Sequence, residues 1–287
     1  MMRYEFRFEK YQGCGNDFIL KDEMDDDRIP DAHRSEMAKF LWDRHFWVGA
    51  DGVLFVEKAP GVDGSMRLFE PAGNEADMCG NGLRCVAAFL MEKLDMTAVD
   101  VLTKDGVKHA ERTPEGIRVD MGLVRTQRKD LAQYITDQGD PEDSMMSIDL
   151  SIGDSTIKAS LLNTGEPHII IFTDDIRSVP MVEIGTHVNS DRKRFPKGMN
   201  INYVQITGAH DISVRTYERG VYNESMACGT GSTACAAASL MLDRIQQGPV
   251  NVKTLGGMLV IEIDENARAV MTGPAEKAFE GKLTVEV

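Results

Sequence analysis

MCGNGLRCVAA, Met78 to Ala88, returns as ACGTGSTACAA, Ala227 to Ala237. Each copy reads Cys, Gly, any residue, Gly, and then an alanine-rich run of helical character. The leading cysteines, Cys79 and Cys228, lie 149 positions apart in a chain of 287. Working outward, Gly15-Asn16-Asp17-Phe18-Ile19-Leu20 sets against Gly165-Glu166-Pro167-His168-Ile169-Ile170, and Arg67-Leu68-Phe69-Glu70 against Arg215-Thr216-Tyr217-Glu218. Val119-Asp120-Met121-Gly122 likewise matches Val270-Met271-Thr272-Gly273, and these three offsets are 150, 148 and 151. Four blocks in one order at nearly constant spacing describe two homologous halves.

Short strand-like runs dominate both halves. They are Tyr4 to Glu9, Asp17 to Lys21, Gly52 to Glu57, Met66 to Glu70, Asp100 to Thr103 and Gly116 to Met121, then Ser147 to Leu150, Thr156 to Ser160, His168 to Phe172, Ile201 to Thr207, Ile212 to Tyr217, Val250 to Thr254 and Leu259 to Ile263. Ser35 to Phe40, Cys85 to Lys93 and Ser232 to Asp243 read as helices. The last two are apolar nearly all round, and a helix without a polar face wants burial. The simplest arrangement is α+β: two pseudosymmetric domains, each of many strands wrapped round one buried helix. The division expected is residues 1–124 with 276–287, carrying Cys79, and 125–275, carrying Cys228. The final strand, Lys282 to Val287, follows the end of the second repeat and is expected to return to the first domain.

Apolar content of 42% and charged content of 27% are those of a soluble globular protein. No run approaches the roughly 18 apolar residues of a membrane span, and MMRYEFRFEK at the start has no continuous apolar signal core, so a cytoplasmic location is expected. A formal charge of −14 argues against nucleic acid, whose phosphates call for clustered Lys and Arg. Five cysteines, an odd number without CxxC spacing, argue against a disulfide framework and against structural zinc.

Each leading cysteine stands just before a Gly-x-Gly turn that opens a helix. Backbone N–H groups and the positive end of a helix dipole then lie near the sulfur, where they can bind a carboxylate and lower a thiol pKa from its free value of about 8.5. Glycine permits close approach of a ligand to the backbone. A lone cysteine among alanines is ordinarily a buried hydrophobe; two at equivalent positions reverse that reading. With one sulfur on each face of an α-carbon, one thiolate removes the proton and the opposite thiol returns another, inverting the centre. Cys85 and Cys235, inside the helices and one residue out of repeat register, and the isolated Cys14 read as structural.

These residues resemble the diaminopimelate epimerase family, cofactor-independent epimerases of lysine and peptidoglycan biosynthesis. The resemblance runs through GNDF (Gly15–Phe18), DRHFWVGADGVL (Asp43–Leu54), CGNGLRC (Cys79–Cys85), Pro167-His168, the Asn200 region, YERG (Tyr217–Gly220) and ACGTG (Ala227–Gly231). It implies two domains, each a mostly antiparallel β-barrel around a central helix, a cysteine pair as acid and base, no pyridoxal phosphate or metal, and a homodimer. It makes Cys79 and Cys228 the catalytic thiols and gives the α-carboxylate to the amides of Gly80, Asn81, Gly229 and Thr230. Asn16, Asn200 and Arg219 become substrate clamps, Arg219 with a fork suited to a distal carboxylate. Glu218 receives the α-ammonium, and His168 supports the reacting centre.

Two positions depart from the family pattern. Glu70-Pro71-Ala72-Gly73-Asn74 stands where Asn and then Asp-Gly-Ser is usual, and Glu166 stands where Asn often precedes Pro-His. Each replaces an amide donor by an acid that only accepts when ionised. Glu70 pairs with Arg67 or Arg84, or Glu166 points away, or the pocket prefers a cationic far end; since Glu70 aligns with Glu218, it is also a candidate to line the site. The small-molecule substrate is therefore diaminopimelate or, alternatively, the substrate of a proline-type or basic-amino-acid racemase of the same fold. A non-catalytic amino-acid binder would need the glycine loops but not both thiols.

Overall fold

The computed structural model describes residues 2–25, 28–152 and 155–287. The chain forms two compact units, Met1–Asp120 with Thr272–Val287, and Met121–Met271.

The first unit runs β1 (Arg3–Gly13), β2 (Asn16–Glu23), α1 (Asp31–Leu41), β3 (Gly52–Glu57), β4 (Gly64–Phe69), β5 (Glu75–Ala76), α2 (Gly80–Leu94), β6 (Ala98–Thr103), β7 (Gly106–Thr113) and β8 (Gly116–Leu123). The second contains β9 (Ile148–Ile152), β10 (Ser155–Asn163), β11 (Pro167–Phe172), α3 (Met181–Ser190), β12 (Asn200–Ile206), β13 (Asp211–Glu218), β14 (Asn223–Ser225), α4 (Gly229–Met241), β15 (Val250–Lys253), β16 (Met258–Ile263) and β17 (Arg268–Gly273). The chain ends in β18 (Glu276–Glu286), antiparallel to β1.

The strand ladders repeat as the sequence does. β1–β2 is antiparallel, β2–β3 parallel, β3–β4 antiparallel and β4–β6 parallel; β10–β11, β11–β12, β12–β13 and β13–β15 follow the same pattern. Registers agree residue for residue: Val53 faces Phe69 as Ile201 faces Tyr217. β18 is to β1 what β9 is to β10, an added antiparallel neighbour, so the last strand completes in the first unit the position that β9 fills in the second.

Within each unit the sheet curls round one helix. α2 packs on β1, β2, β3, β4, β6, β7 and β18, and α4 on β10, β11, β12, β13, β15 and β16. Gly80 through Met91 and Gly229 through Leu240 are buried without a break. A second helix per unit covers the other side: Met37, Ala38 and Leu41 of α1 join Ile19, Val53, Phe55 and Phe69, while Met181 and Val188 of α3 join Ile169, Ile171, Ile201 and Tyr217. β3 is therefore buried at all six positions, and its unbroken apolar run replaces the alternation of a half-exposed strand.

Sequence reading shortened α1, started α2 and α4 late, ran α4 on to Asp243, and left α3, β5, β7, β14 and β17 unmarked. The glycines that open α2 and α4 have poor helix propensity, and Gly, Thr and Val make α3 look weak. Gly185 has a packing reason, since a Cβ there would lie 2.2 Å from the Tyr217 ring on which α3 rests.

Candidate functional site

In the first unit a two-residue hairpin loop places Asn16. Cys14 and Gly15, with φ of 53° and 78°, turn the chain between the paired residues Gly13 and Asn16. The Asn16 amide is then held by its neighbours. Its Nδ2 donates to Asp51 Oδ2 at 2.8 Å, and Arg44 ties Asp51 to Asp17 with bonds of 2.6 to 2.9 Å. Lys10 Nζ closes the network on Asp17 at 2.7 Å. Burial opposes the Asp17 charge, but hydrogen bonds from Arg44 and Lys10 outweigh it and take the carboxyl down to about 2.

Cys79 is the N-cap of α2. Its backbone is extended (φ −146°, ψ 114°), and its Sγ accepts the Gly82 N–H at 3.4 Å in the place a Ser or Asp oxygen usually takes. The sulfur lies 4.0 Å from Asn16 Oδ1, which also accepts from Asn81 Nδ2 at 3.1 Å. Beneath them is Arg84, fully buried, donating to Asn81 Oδ1 at 2.8 Å and to the Pro274 and Gly80 carbonyls. Asn16, Cys79, Gly80 and Asn81 thus come together on one local scaffold. Glu70 lies in the turn after β4, closed by bonds between its backbone and those of Gly73 and Asn74; Arg67 is engaged by Glu75 and Asp31 and Arg84 as described.

Cys228 caps α4 in the same way, with φ −117°, ψ 116° and Gly231 N–H to Sγ at 3.3 Å. Its surroundings differ. Where the first unit has Phe18 and Leu54, the second has His168 and Asn202 at the matching positions, and Asn81 is matched by Thr230. Cys228 Sγ lies 3.4 Å from Thr230 Oγ1, which lies 3.0 Å from His168 Nε2; His168 Nδ1 meets Asn202 Nδ2 at 3.0 Å. Asn202 Oδ1 accepts from Thr216 Oγ1 at 2.9 Å. Burial, aided by the Arg219 charge, takes His168 down to about 3, so the imidazole is neutral and can bridge two partners as one donor and one acceptor.

Asn200 is an inward brace. Its Oδ1 accepts the Arg219 backbone N–H at 2.9 Å and its Nδ2 donates to the Pro167 carbonyl at 3.1 Å. It thereby fixes the start of β11 to the end of β13. Glu166 Oε2 accepts from Arg219 Nε and Nη2 at 2.8 and 2.5 Å. Glu218, partly exposed, is the last residue of β13 and directly precedes Arg219. Burial pushes the Cys85 thiol up to about 12 and raises those of Cys14 and Cys235 as well, which favours the protonated form of all three.

One duplicated feature escaped sequence reading. Arg67 Nε and Nη2 fork onto Glu75 at 2.7 and 3.1 Å, and Arg215 forks onto Glu224 at 2.5 and 2.8 Å. Each glutamate stands four residues before its helix-capping cysteine, a spacing visible in EADMCG and ESMACG. Each fork ties the strand bearing Arg to the short strand that leads into the cysteine loop. Among the described residues, no three His, Cys, Asp or Glu side chains converge as a metal-ligand set.

The family described as Diaminopimelate epimerase matches this chain at residues 8–127 and 160–278. The chain is 37% identical over 288 residues to a diaminopimelate epimerase of Methanocella arvoryzae, covering 98% of both chains. It is 34% identical to one of Aquifex aeolicus, again with 98% of each covered. Among solved structures, a hydroxyproline epimerase of Agrobacterium vitis has the same fold, with a TM-score of 0.75 at 13% identity over 100% of this chain and 93% of that one. The chain belongs to the diaminopimelate epimerase family.

Proposed function

We propose that this chain interconverts LL- and meso-diaminopimelate, with Cys79 and Cys228 as the two acid–base groups. The observation that carries the reading is the duplicated cap: each cysteine ends in the first turn of its unit's buried helix, with its sulfur accepting the N–H three residues on. A sulfur so placed is a better thiolate than one in bulk protein, because the N–H and the helix dipole favour negative charge. The first-turn amides at Gly80, Asn81, Gly229 and Thr230 suit an α-carboxylate for the same reason, lacking intrahelical acceptors. Glu218 suits the α-ammonium.

One thiolate takes the α-proton, leaving charge that the substrate carboxylate and the amides share. The thiol on the other face then gives its proton to the same carbon, and the two sulfurs have exchanged roles. His168 stays neutral and orients Thr230 beside Cys228; Asn81, steered by Arg84, does the corresponding work beside Cys79. No cofactor enters the scheme. Among the described residues no helix is long and apolar enough to cross a membrane, and we place the enzyme in the cytoplasm as a homodimer.

The test is solvent-deuterium incorporation at the α-position with LL- and meso-diaminopimelate, proline, lysine and histidine. Exchange confined to the diaminopimelates is expected. Exchange with proline or lysine alone establishes a different racemase, and no exchange with any of them establishes a binder.

A further inference from the structure

Asn202 lies fully buried on β12, beneath the cap of α4, where a Cβ on Gly231 would come within 2.5 Å of its Oδ1. Its amide has one orientation that satisfies every partner. Nδ2 donates to the Ile169 carbonyl at 3.2 Å, and a carbonyl accepts without donating. Oδ1 accepts from Thr216 Oγ1 at 2.9 Å, on the residue paired with it across β12 and β13. The NH2 group is therefore also the group that faces His168 Nδ1, at 3.0 Å.

That nitrogen must accept, and a neutral imidazole that accepts at Nδ1 carries its proton on Nε2. Burial keeps the ring neutral, and the Arg219 charge acts in the same direction. Nε2–H then donates to Thr230 Oγ1 at 3.0 Å. With its oxygen already accepting, the Thr230 hydroxyl has its own proton to direct at Cys228 Sγ, 3.4 Å away.

We infer that Asn202 is a positioning residue for the Cys228 thiolate: by holding His168 as the Nε2–H tautomer it makes the Thr230 hydroxyl a hydrogen-bond donor to the sulfur. The inference rests on the acid–base role proposed above for Cys228 and adds a device that the duplicated cap does not contain.

The opposite tautomer has the opposite effect. An Nε2 lone pair would take the Thr230 proton and leave the hydroxyl's own lone pairs toward the sulfur, which favours the thiol. A hydrogen bond to an ionised sulfur is roughly twice as strong as one to a neutral group, so the donor selects the thiolate. No proton passes along the chain: Thr230 keeps its proton, and the one taken from the substrate stays on sulfur. His168 on β11 and Arg219 after β13 are the ionisable groups of the arrangement, one neutral and one permanently charged, so it holds through the neutral pH range. The first unit carries Phe18 and Leu54 at the positions of His168 and Asn202, so this device belongs to Cys228 and not to Cys79.

Nitrogen NMR of labelled histidine reads the tautomer directly, the signals of residue 168 being identified by their loss in His168→Gln. Wild type is expected to carry the proton on Nε2, and Asn202→Asp, whose carboxylate only accepts, to carry it on Nδ1. The Cys228 ionisation midpoint is read in a Cys79→Ala chain, as the ultraviolet thiolate absorbance lost on adding Cys228→Ala. Thr230→Val and Asn202→Asp should each raise that midpoint by about one pH unit, about tenfold less thiolate at a given pH, while Thr230→Ser leaves it in place. In the Thr230→Val background Asn202→Asp should add less than about a third of a unit, because the same hydrogen bond is already gone. A wild-type proton on Nδ1, or a midpoint unmoved by Thr230→Val, overturns the inference. So does an Asn202→Asp shift that persists in full without the Thr230 hydroxyl, since it then comes from charge or packing. These readings need no substrate, so they fail separately from the proposed activity, which is removed by absence of α-deuterium exchange on diaminopimelate.

Discussion

Removing Glu224 tests whether the duplicated forks hold the cysteine loops. In Glu224→Gln the Arg215 guanidinium loses a bidentate carboxylate at 2.5 and 2.8 Å and keeps the carbonyls of Ile176 and Val179 at 2.8 and 3.1 Å. Both side chains are about four-fifths buried, at 18% and 19% exposure. A hydrogen bond to a charged group contributes about 1.5–3 kcal/mol, and an exposed ion pair about 0–1 kcal/mol. Burial places this fork nearer the first, and the glutamine retains one acceptor, so the expected cost is about 2 kcal/mol, or a fall in Tm of about 4–8 °C for a unit of this size. In the first unit Glu75→Gln should cost less, because Arg67 keeps Asp31 at 2.8 Å. The assay is a double-mutant cycle in urea with Arg215→Met, Glu224→Gln and the pair. Coupling of about 1–2 kcal/mol is expected, along with a fall in kcat for Glu224→Gln at nearly constant KM, since the fork sits four residues before Cys228 and touches no proposed substrate group. Coupling below about 0.5 kcal/mol would show that the strands hold the loop without the fork.

Other outcomes follow from the same geometry. Gly231→Ala puts a Cβ 2.5 Å from Asn202 Oδ1, a side chain already fixed to His168 and Thr216, so it should cost about 1–3 kcal/mol; the matching Gly82→Ala meets Leu54 at 3.4 Å, and urea titration should show it within about 1 kcal/mol of wild type. Burial takes the folded His168 down to about 3 from its ordinary 6.5, so below pH 6.5 the unfolded chain binds the extra proton and stability falls with a slope of up to about 1.4 kcal/mol per pH unit until pH 3. That component should vanish from the pH dependence of urea unfolding in His168→Gln, whatever that variant's baseline stability. Cys79→Ala and Cys228→Ala should each lower epimerisation by about 10²–10⁴-fold while melting like wild type, and a variant that keeps full rate removes that cysteine from the mechanism.

The recurrence of CGNG and CGTG in the chain was enough to announce two like halves, two central helices and the pair of thiols, because a buried all-apolar helix and a glycine turn are local patterns. The ladders repeat strand for strand as the offsets require. Other features were local too but concealed by composition: the Glu four residues before each Cys sits among unremarkable polar residues, and α3 carries glycine in its middle because an aromatic ring lies against it. What only the tertiary structure decided is who holds whom. Asn200 joins the Pro167 carbonyl to the Arg219 backbone, and Glu166 is the partner of Arg219. At matching positions one unit carries Phe18 and Leu54 and the other His168 and Asn202, and Arg84 is buried among carbonyls and an amide. A side chain's partners come from strands far apart in the sequence, and their pairing is fixed by register and packing, which no single stretch of the chain contains.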